Sequence, residues 1–238
     1  MKKADNPQGD KEKFIPLTLQ EIHEATEQRI EKIQQEFSAG FKLIEQHPQS
    51  VTFFGSARLS EDHPSYKDAQ HLASAIVSTL GYSVLTGGGP GIMEAGNRGA
   101  HEAGGKSLGL DIQLPHEQNA NPYTTDSVSF YYFFSRKVCL SFSAEAYVFF
   151  PGGFGTLDEF FEILTLVQTG KITPVPIILF GKSYWKHIDK VIKKLLLKKK
   201  LIDPQDPKLY TITDSIDEAV EIIKQAPIRN GIRFTPKK

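Results

Sequence analysis

Cysteine is nearly missing from this sequence: Cys139 is the only one in 238 residues. That excludes an internal disulfide and any multi-cysteine metal site. Val138 and Leu140 flank it, so Cys139 reads as a buried structural thiol rather than a nucleophile. Long apolar runs are missing too; none approaches the ~18 residues that a membrane span requires. The stretch from Met1 to Lys13 is polar and lacks the apolar centre of a signal peptide. Net charge is also absent, since 28 Lys and Arg balance 28 Asp and Glu. A general binder of nucleic acid or anionic membrane normally carries a basic excess, so neither partner is expected. The seven histidines show no metal-ligand spacing. The expectation is a soluble cytoplasmic protein with no metal and no cofactor.

What is present organises into one α/β domain with an extension, and a chain of this length buries enough surface to need no staple. Residues 1–13 read as a disordered lead-in and 227–238 as a C-terminal tail. Between 14 and 48 lies a helical extension. Thr18-Leu19-Gln20-Glu21 forms a capping box, Ile22 to Ile44 recur at near-helical spacing, and Pro48 closes the segment. From 49 to 226 strands and helices alternate: strands at 51–55, 82–86, 106–112, 128–133, 146–150, 175–180 and 209–211, helices at 66–80, 91–103, 135–143, 156–169, 184–197 and 215–224. Such alternation predicts a single Rossmann-like, doubly wound parallel sheet flanked by helices, with ligands at the carboxyl ends of its strands. The connection from Gln113 to Ser127 is long enough to suggest function.

Three of the predicted strands end in glycine turns: Gly55-Ser56-Ala57-Arg58, Gly87-Gly88-Gly89-Pro90-Gly91, and Pro151-Gly152-Gly153-Phe154-Gly155-Thr156. A strand–glycine–helix turn exposes amides at a helix N-terminus, where the dipole also favours a phosphate. A dinucleotide fingerprint fits poorly. Gly87 and Gly89 follow a strand and Asp111 sits where a ribose-binding acid belongs, but the third glycine position falls on Ile92. Glu159 has two equal local readings, since Thr156-Leu157-Asp158-Glu159 is itself a capping-box pattern. Arg136 begins a helix, where a cation does not help the dipole and some other reason is favoured. Glu94 reads as a favourable first-turn acid, and Lys193, Lys194 and Lys198 to Lys200 as a solvated run.

Thr86 to Ala95 and Pro151 to Glu159, in this order, resemble the paired motifs of the Lonely Guy (LOG) family. Phe133-Phe134-Ser135-Arg136-Lys137 is similar to its arginine-lysine helix start. Leu114-Pro115, Glu117-Gln118 and the segment Leu166 to Lys171 look like its longer bacterial branch. The resemblance implies a phosphoribohydrolase that splits a nucleoside 5′-monophosphate, AMP or a cytokinin nucleotide, into free base and ribose 5-phosphate. It implies Arg136 and Glu159 as catalytic residues. Ser56, Gly89, Lys137, Gly152, Gly153, Gly155, Thr156 and Asp158 would be substrate-binding. Asp158 departs from the glutamate of many members. The resemblance also implies a homodimer or higher homo-oligomer, whose assembly the extension before Val51 is expected to alter. Members are often called lysine decarboxylases, but a pyridoxal-phosphate enzyme needs a Schiff-base lysine and a partner for the pyridine nitrogen, which these motifs do not supply. The alternative is a non-catalytic nucleotide or molybdenum-cofactor carrier on the same fold; retention of Arg136 and Glu159 favours the enzyme.

Overall fold

The structure, a computed structural model, describes residues 18–114 and 121–227. The expected lead-in, the Glu117-Gln118 part of the loop motif and all but the first residue of the expected tail lie outside the described residues. The chain runs α1 (Leu19–Gln46), β1 (Ser50–Phe54), α2 (Pro64–Leu80), β2 (Ser83–Thr86), α3 (Ile92–Glu102), β3 (Ser107–Ile112), β4 (Asp126–Phe130), α4 (Phe133–Ser141), β5 (Ala146–Phe149), α5 (Phe154–Gln168), β6 (Ile177–Phe180), α6 (Lys182–Val191), β7 (Thr211–Thr213) and α7 (Ile216–Gln225). A π-helical stretch, Ile192–Leu197, prolongs α6.

All strand pairs are parallel, in the order β4-β3-β2-β1-β5-β6-β7. Alternation along the strands divides the core between two faces. Val51, Phe53, Ala146, Val148 and Phe150 pack against α2, α3 and α7. Phe54, Tyr147 and Phe149 point the other way, into a cluster with Leu43, Cys139, Phe160 and Trp185. Both sets are buried because the sheet is covered on each side, which is why these strands read as continuous apolar runs. The direction of winding reverses between β1 and β5. There the crevice of a doubly wound sheet opens.

The Thr18 capping box forms as expected: Glu21 N donates to Thr18 Oγ1 at 3.2 Å, and Thr18 N to Glu21 Oε2 at 2.8 Å. Only the second half of α1 is docked, through Glu36, Gly40 and Leu43. Leu19 and Ile22 in the first half are exposed. Several boundaries differ from expectation, β4 for example running Asp126–Phe130 rather than 128–133, and two have a local cause. The last strand starts at Thr211, because Leu209 and Tyr210 turn into the core and Tyr210 Oη bonds Asp189. Helix α5 starts at Phe154 with Gly153 as its N-cap, so Thr156 is the third helical residue and no capping box forms with Glu159.

One backbone position holds the β2–α3 turn in shape. Gly91 has φ 69° and ψ −128°, and a Cβ there would lie 2.4 Å from the Ser56 carbonyl oxygen. That oxygen is already fixed by Ile92 N at 3.0 Å. Gly91→Ala is therefore expected to destabilise the fold by at least about 2 kcal/mol, combining backbone strain with overpacking. Urea denaturation checks this; an unchanged midpoint would show the turn to be adaptable.

Candidate active site

The carboxyl ends of β2, β1 and β5 lie side by side, which brings the three glycine turns together. They are pinned to one another through the backbone, Ser56 N donating to Pro151 O at 3.0 Å and Ile92 N to Ser56 O at 3.0 Å, while Asn121 N of a later loop donates to Gly88 O at 2.8 Å. Asn121 also donates its side-chain amide to Gly88 O, Gly89 O and Asn97 Oδ1. Between them lies a cavity of about 370 Å³. Gly87, Gly88, Gly89, Asp111, Phe133, Arg136, Lys137, Gly155, Thr156, Asp158 and Glu159 line it.

Two of the helices that start at this cavity do so behind a glycine N-cap and without a side-chain cap, α3 behind Gly91 and α5 behind Gly153. First-turn amides left free of capping side chains suit an anion. Gly155 and Thr156 of the second turn face the cavity, whereas Ser56, Gly152 and Gly153 are not among its lining residues. Ser56 spends its backbone groups on pinning, and its hydroxyl accepts from Arg58 N. Gly152 accepts from Tyr184 Oη at 2.7 Å. A Cβ at Gly152 would meet Thr156 Oγ1, so this glycine lets the turn fold onto α5.

Helix α4 delivers Arg136 from the opposite wall. Its Nε donates to Leu110 O at 2.6 Å, and Nη2 lies 3.4 Å from Gly87 O. Gly87 leaves the guanidinium its place, since a Cβ there would stand 2.2 Å from Arg136 Nη2 and displace it. Burial pulls the guanidinium below its ordinary value, against the attraction of Glu159 and Asp111. Glu159, on the second turn of α5, is 8% exposed, and its Oε2 has no hydrogen-bond partner among the described residues. Burial pushes its carboxyl up to about 7; Lys137 opposes that, Glu162 adds to it, and Arg136 opposes it more weakly.

Lys137 sits among three carboxylates, with Nζ 2.6 Å from Asp158, 2.8 Å from Glu162 and 3.7 Å from Glu159. Lys137 and Asp158 thus face each other across the cavity wall, each partly neutralised by the other. Glu162 was missed in the sequence, although its spacing of i+4 from Asp158 puts it on the same helix face. Asp111 entered only as a dinucleotide acid, yet it lines the cavity with Oδ1 unpartnered among the described residues. Burial raises its carboxyl, opposed by Ser127 and Arg136. Among the described residues no group of three or more His, Cys, Asp or Glu is placed to hold a metal ion. Nor is any helix there long and apolar enough to cross a membrane.

A chemically coherent set results: an uncapped helix start for an anion, a buried cation, and a carboxylate with a free oxygen. Comparison with known proteins adds a family. Residues 93–223 match the family described as "Possible lysine decarboxylase". The cytokinin riboside 5′-monophosphate phosphoribohydrolase LOG5 of Arabidopsis thaliana is 26% identical over 76% of this chain and 79% of its own length. Among solved structures, the structural-genomics target TM1055 superposes with a TM-score of 0.57 at 27% identity, over 74% of this chain and 99% of that one. The molybdenum cofactor carrier protein of Chlamydomonas reinhardtii gives 0.55 at 22% identity, over 74% and 96%, a likeness of fold. Because the matched span covers more than half of the 238 residues and contains Arg136 and the whole Pro151–Glu159 motif, the chain belongs to this family, that of the LOG proteins.

Proposed function

We propose that this protein hydrolyses the N-glycosidic bond of a nucleoside 5′-monophosphate, AMP or a cytokinin nucleotide, releasing free base and ribose 5-phosphate. The observation that carries the proposal is the free Oε2 of buried Glu159 in the same cavity as Arg136 and the uncapped start of α5. The names of the curated relatives support the same chemistry. The 5′-phosphate sits on the α5 amides and the glycine turns. Arg136 holds the ribose. As the C1′–N bond breaks, its electron pair leaves with the base and positive charge grows on the sugar, where the Glu159 carboxylate stabilises it. Water adds to C1′; Glu159 orients it, takes its proton and hands that proton on to the departing base, which restores the carboxylate.

This role requires the ionised carboxylate, so turnover at saturating substrate is expected to rise with pH through about 7, the value to which burial lifts Glu159. A profile flat from pH 5 to 9 would remove Glu159 as the titrating group. The direct test of the function is ribose 5-phosphate release from AMP, isopentenyl-AMP, GMP and CMP. Tight nucleotide binding without release from any of them moves a carrier on the same fold into first place. We also propose a homo-oligomer. Phe133 and Phe154, exposed beside the cavity, and Leu19 and Ile22 on the free half of α1, are apolar surface that a partner subunit would cover. A single-chain mass by light scattering would remove that proposal.

A further inference from the structure

Helix α4 is unfavourable as its own sequence writes it. Its N-cap, Tyr132, makes no side-chain capping bond, and Arg136 and Lys137 follow within the first turns. Cations near a helix N-terminus oppose its dipole. Arg136 is nevertheless held to fixed backbone oxygens at Leu110 and Gly87. The compensation comes from far away in the chain. Glu36 of α1 is 3% exposed, and its carboxylate lies at the entry to α4. Oε1 accepts from Tyr131 N at 2.7 Å, while Oε2 accepts from the Ser135 hydroxyl at 2.5 Å and from Tyr132 N at 3.4 Å.

The docking of α1 is built around this contact. Glu36, Gly40 and Leu43 are its buried residues, spaced four and three apart on one face. A Cβ at Gly40 would stand 2.6 Å from Cys139 Sγ and 2.8 Å from the Phe130 ring, so glycine sets how closely α1 approaches α4. Phe41 and Phe142 meet beside it with ring centres 6.2 Å apart. A charge that is costly to bury is thus carried into the core and satisfied by two amides and a hydroxyl of one short segment.

We infer that Glu36 is a positioning residue for Arg136. Its carboxylate fixes the segment from Tyr131 to Ser135 and supplies the negative charge that α4 lacks, and so sets where the guanidinium enters the cavity. The extension before the domain is on this account part of the active-site scaffold, in addition to any role in assembly. The kinetic consequence rests on the hydrolase proposal; the structural consequence does not.

The test compares full-length Glu36→Gln and Ser135→Ala with Leu43→Ala, a packing control on the same helix face. Glutamine keeps the size and one acceptor but removes the charge. A reactive group displaced by about 1 Å can cost about 100-fold in rate, so Glu36→Gln is expected to lower kcat for AMP roughly tenfold or more, with KM changed much less. Ser135→Ala should do the same to a smaller degree, and it remains informative if Glu36→Gln does not fold. Leu43→Ala should lower the thermal midpoint yet keep kcat. Amide exchange of Tyr131, Tyr132 and α4 should quicken in Glu36→Gln more than in Leu43→Ala. Equal effects of the charge and packing variants on both kcat and exchange would overturn the inference. If the wild-type protein releases no ribose 5-phosphate, the hydrolase proposal fails alone, and exchange together with AMP affinity still decides the role of Glu36.

Discussion

Glu159→Gln is expected to lower turnover about 1,000-fold or more, while the protein stays folded and gains stability above neutral pH. The activity loss follows from removing a buried carboxylate that lines the cavity with one oxygen unpartnered among the described residues. Losing a preorganised charge at a developing transition-state charge typically costs 10²- to 10³-fold, roughly 3–4 kcal/mol, and here the same group also handles the water. The stability gain follows from linkage. The folded carboxyl titrates near 7 against an ordinary 4.5, so the fold prefers the neutral acid. Through this group, wild-type stability must fall as pH rises from 4.5 through 7, by on the order of 3 kcal/mol once ionisation is complete. Glutamine never ionises and escapes that cost, a familiar trade of stability for activity. Urea denaturation of both proteins at pH 5 and pH 8 measures it: the gap between the two curves should widen severalfold from the lower pH to the higher. Turnover retained in the variant would show that the catalytic group lies elsewhere.

Arg136→Met should be the second severe change. Methionine fills a similar volume but leaves Leu110 O and Gly87 O without their donor, and Glu159 and Asp111 without the cation between them. A loss of about 100- to 1,000-fold in kcat/KM is expected from the missing charged donor. A second signature separates electrostatics from simple damage. Arg136 holds the Glu159 carboxyl down, so its removal raises that value further and moves the ascending limb of the pH profile to higher pH. Residual activity with an unmoved limb would mean that Arg136 braces the β2 and β3 ends and does not act on the ribose.

Two copies of one sequence pattern show where local reading succeeds and fails. Thr18-x-x-Glu21 forms its capping box, since Thr18 itself is the N-cap, in extended backbone, and Glu21 the third helical residue. Thr156-x-x-Glu159 does not, because Gly152-Gly153 has already turned the chain into α5 and Thr156 is buried one turn inside. The sheet was legible because strands covered on both faces must be apolar along their whole length, as Ala146 to Phe150 are. Arg136 and Glu159 stood out through their motifs. Asp111 stood out only through the dinucleotide pattern, and Glu162 and Glu36 not at all, for a physical reason: each matters through a neighbour that only tertiary packing supplies. Glu36 and Tyr131 are 95 residues apart, and no periodicity links them.

The contact between Gly40 and Cys139 makes the molecule its own reporter. The thiol is fully buried against α1, and burial pushes it up to about 12, so in the docked state it is both shielded and unreactive. Lifting α1 away would remove the part of its cover that Gly40 supplies. As no other sulfhydryl competes, the labelling rate of the unmodified protein with a maleimide dye follows openings of the core where α1 meets α4. Set beside turnover in the same sample, that clock tells whether this part of the core opens during the catalytic cycle or stays closed throughout.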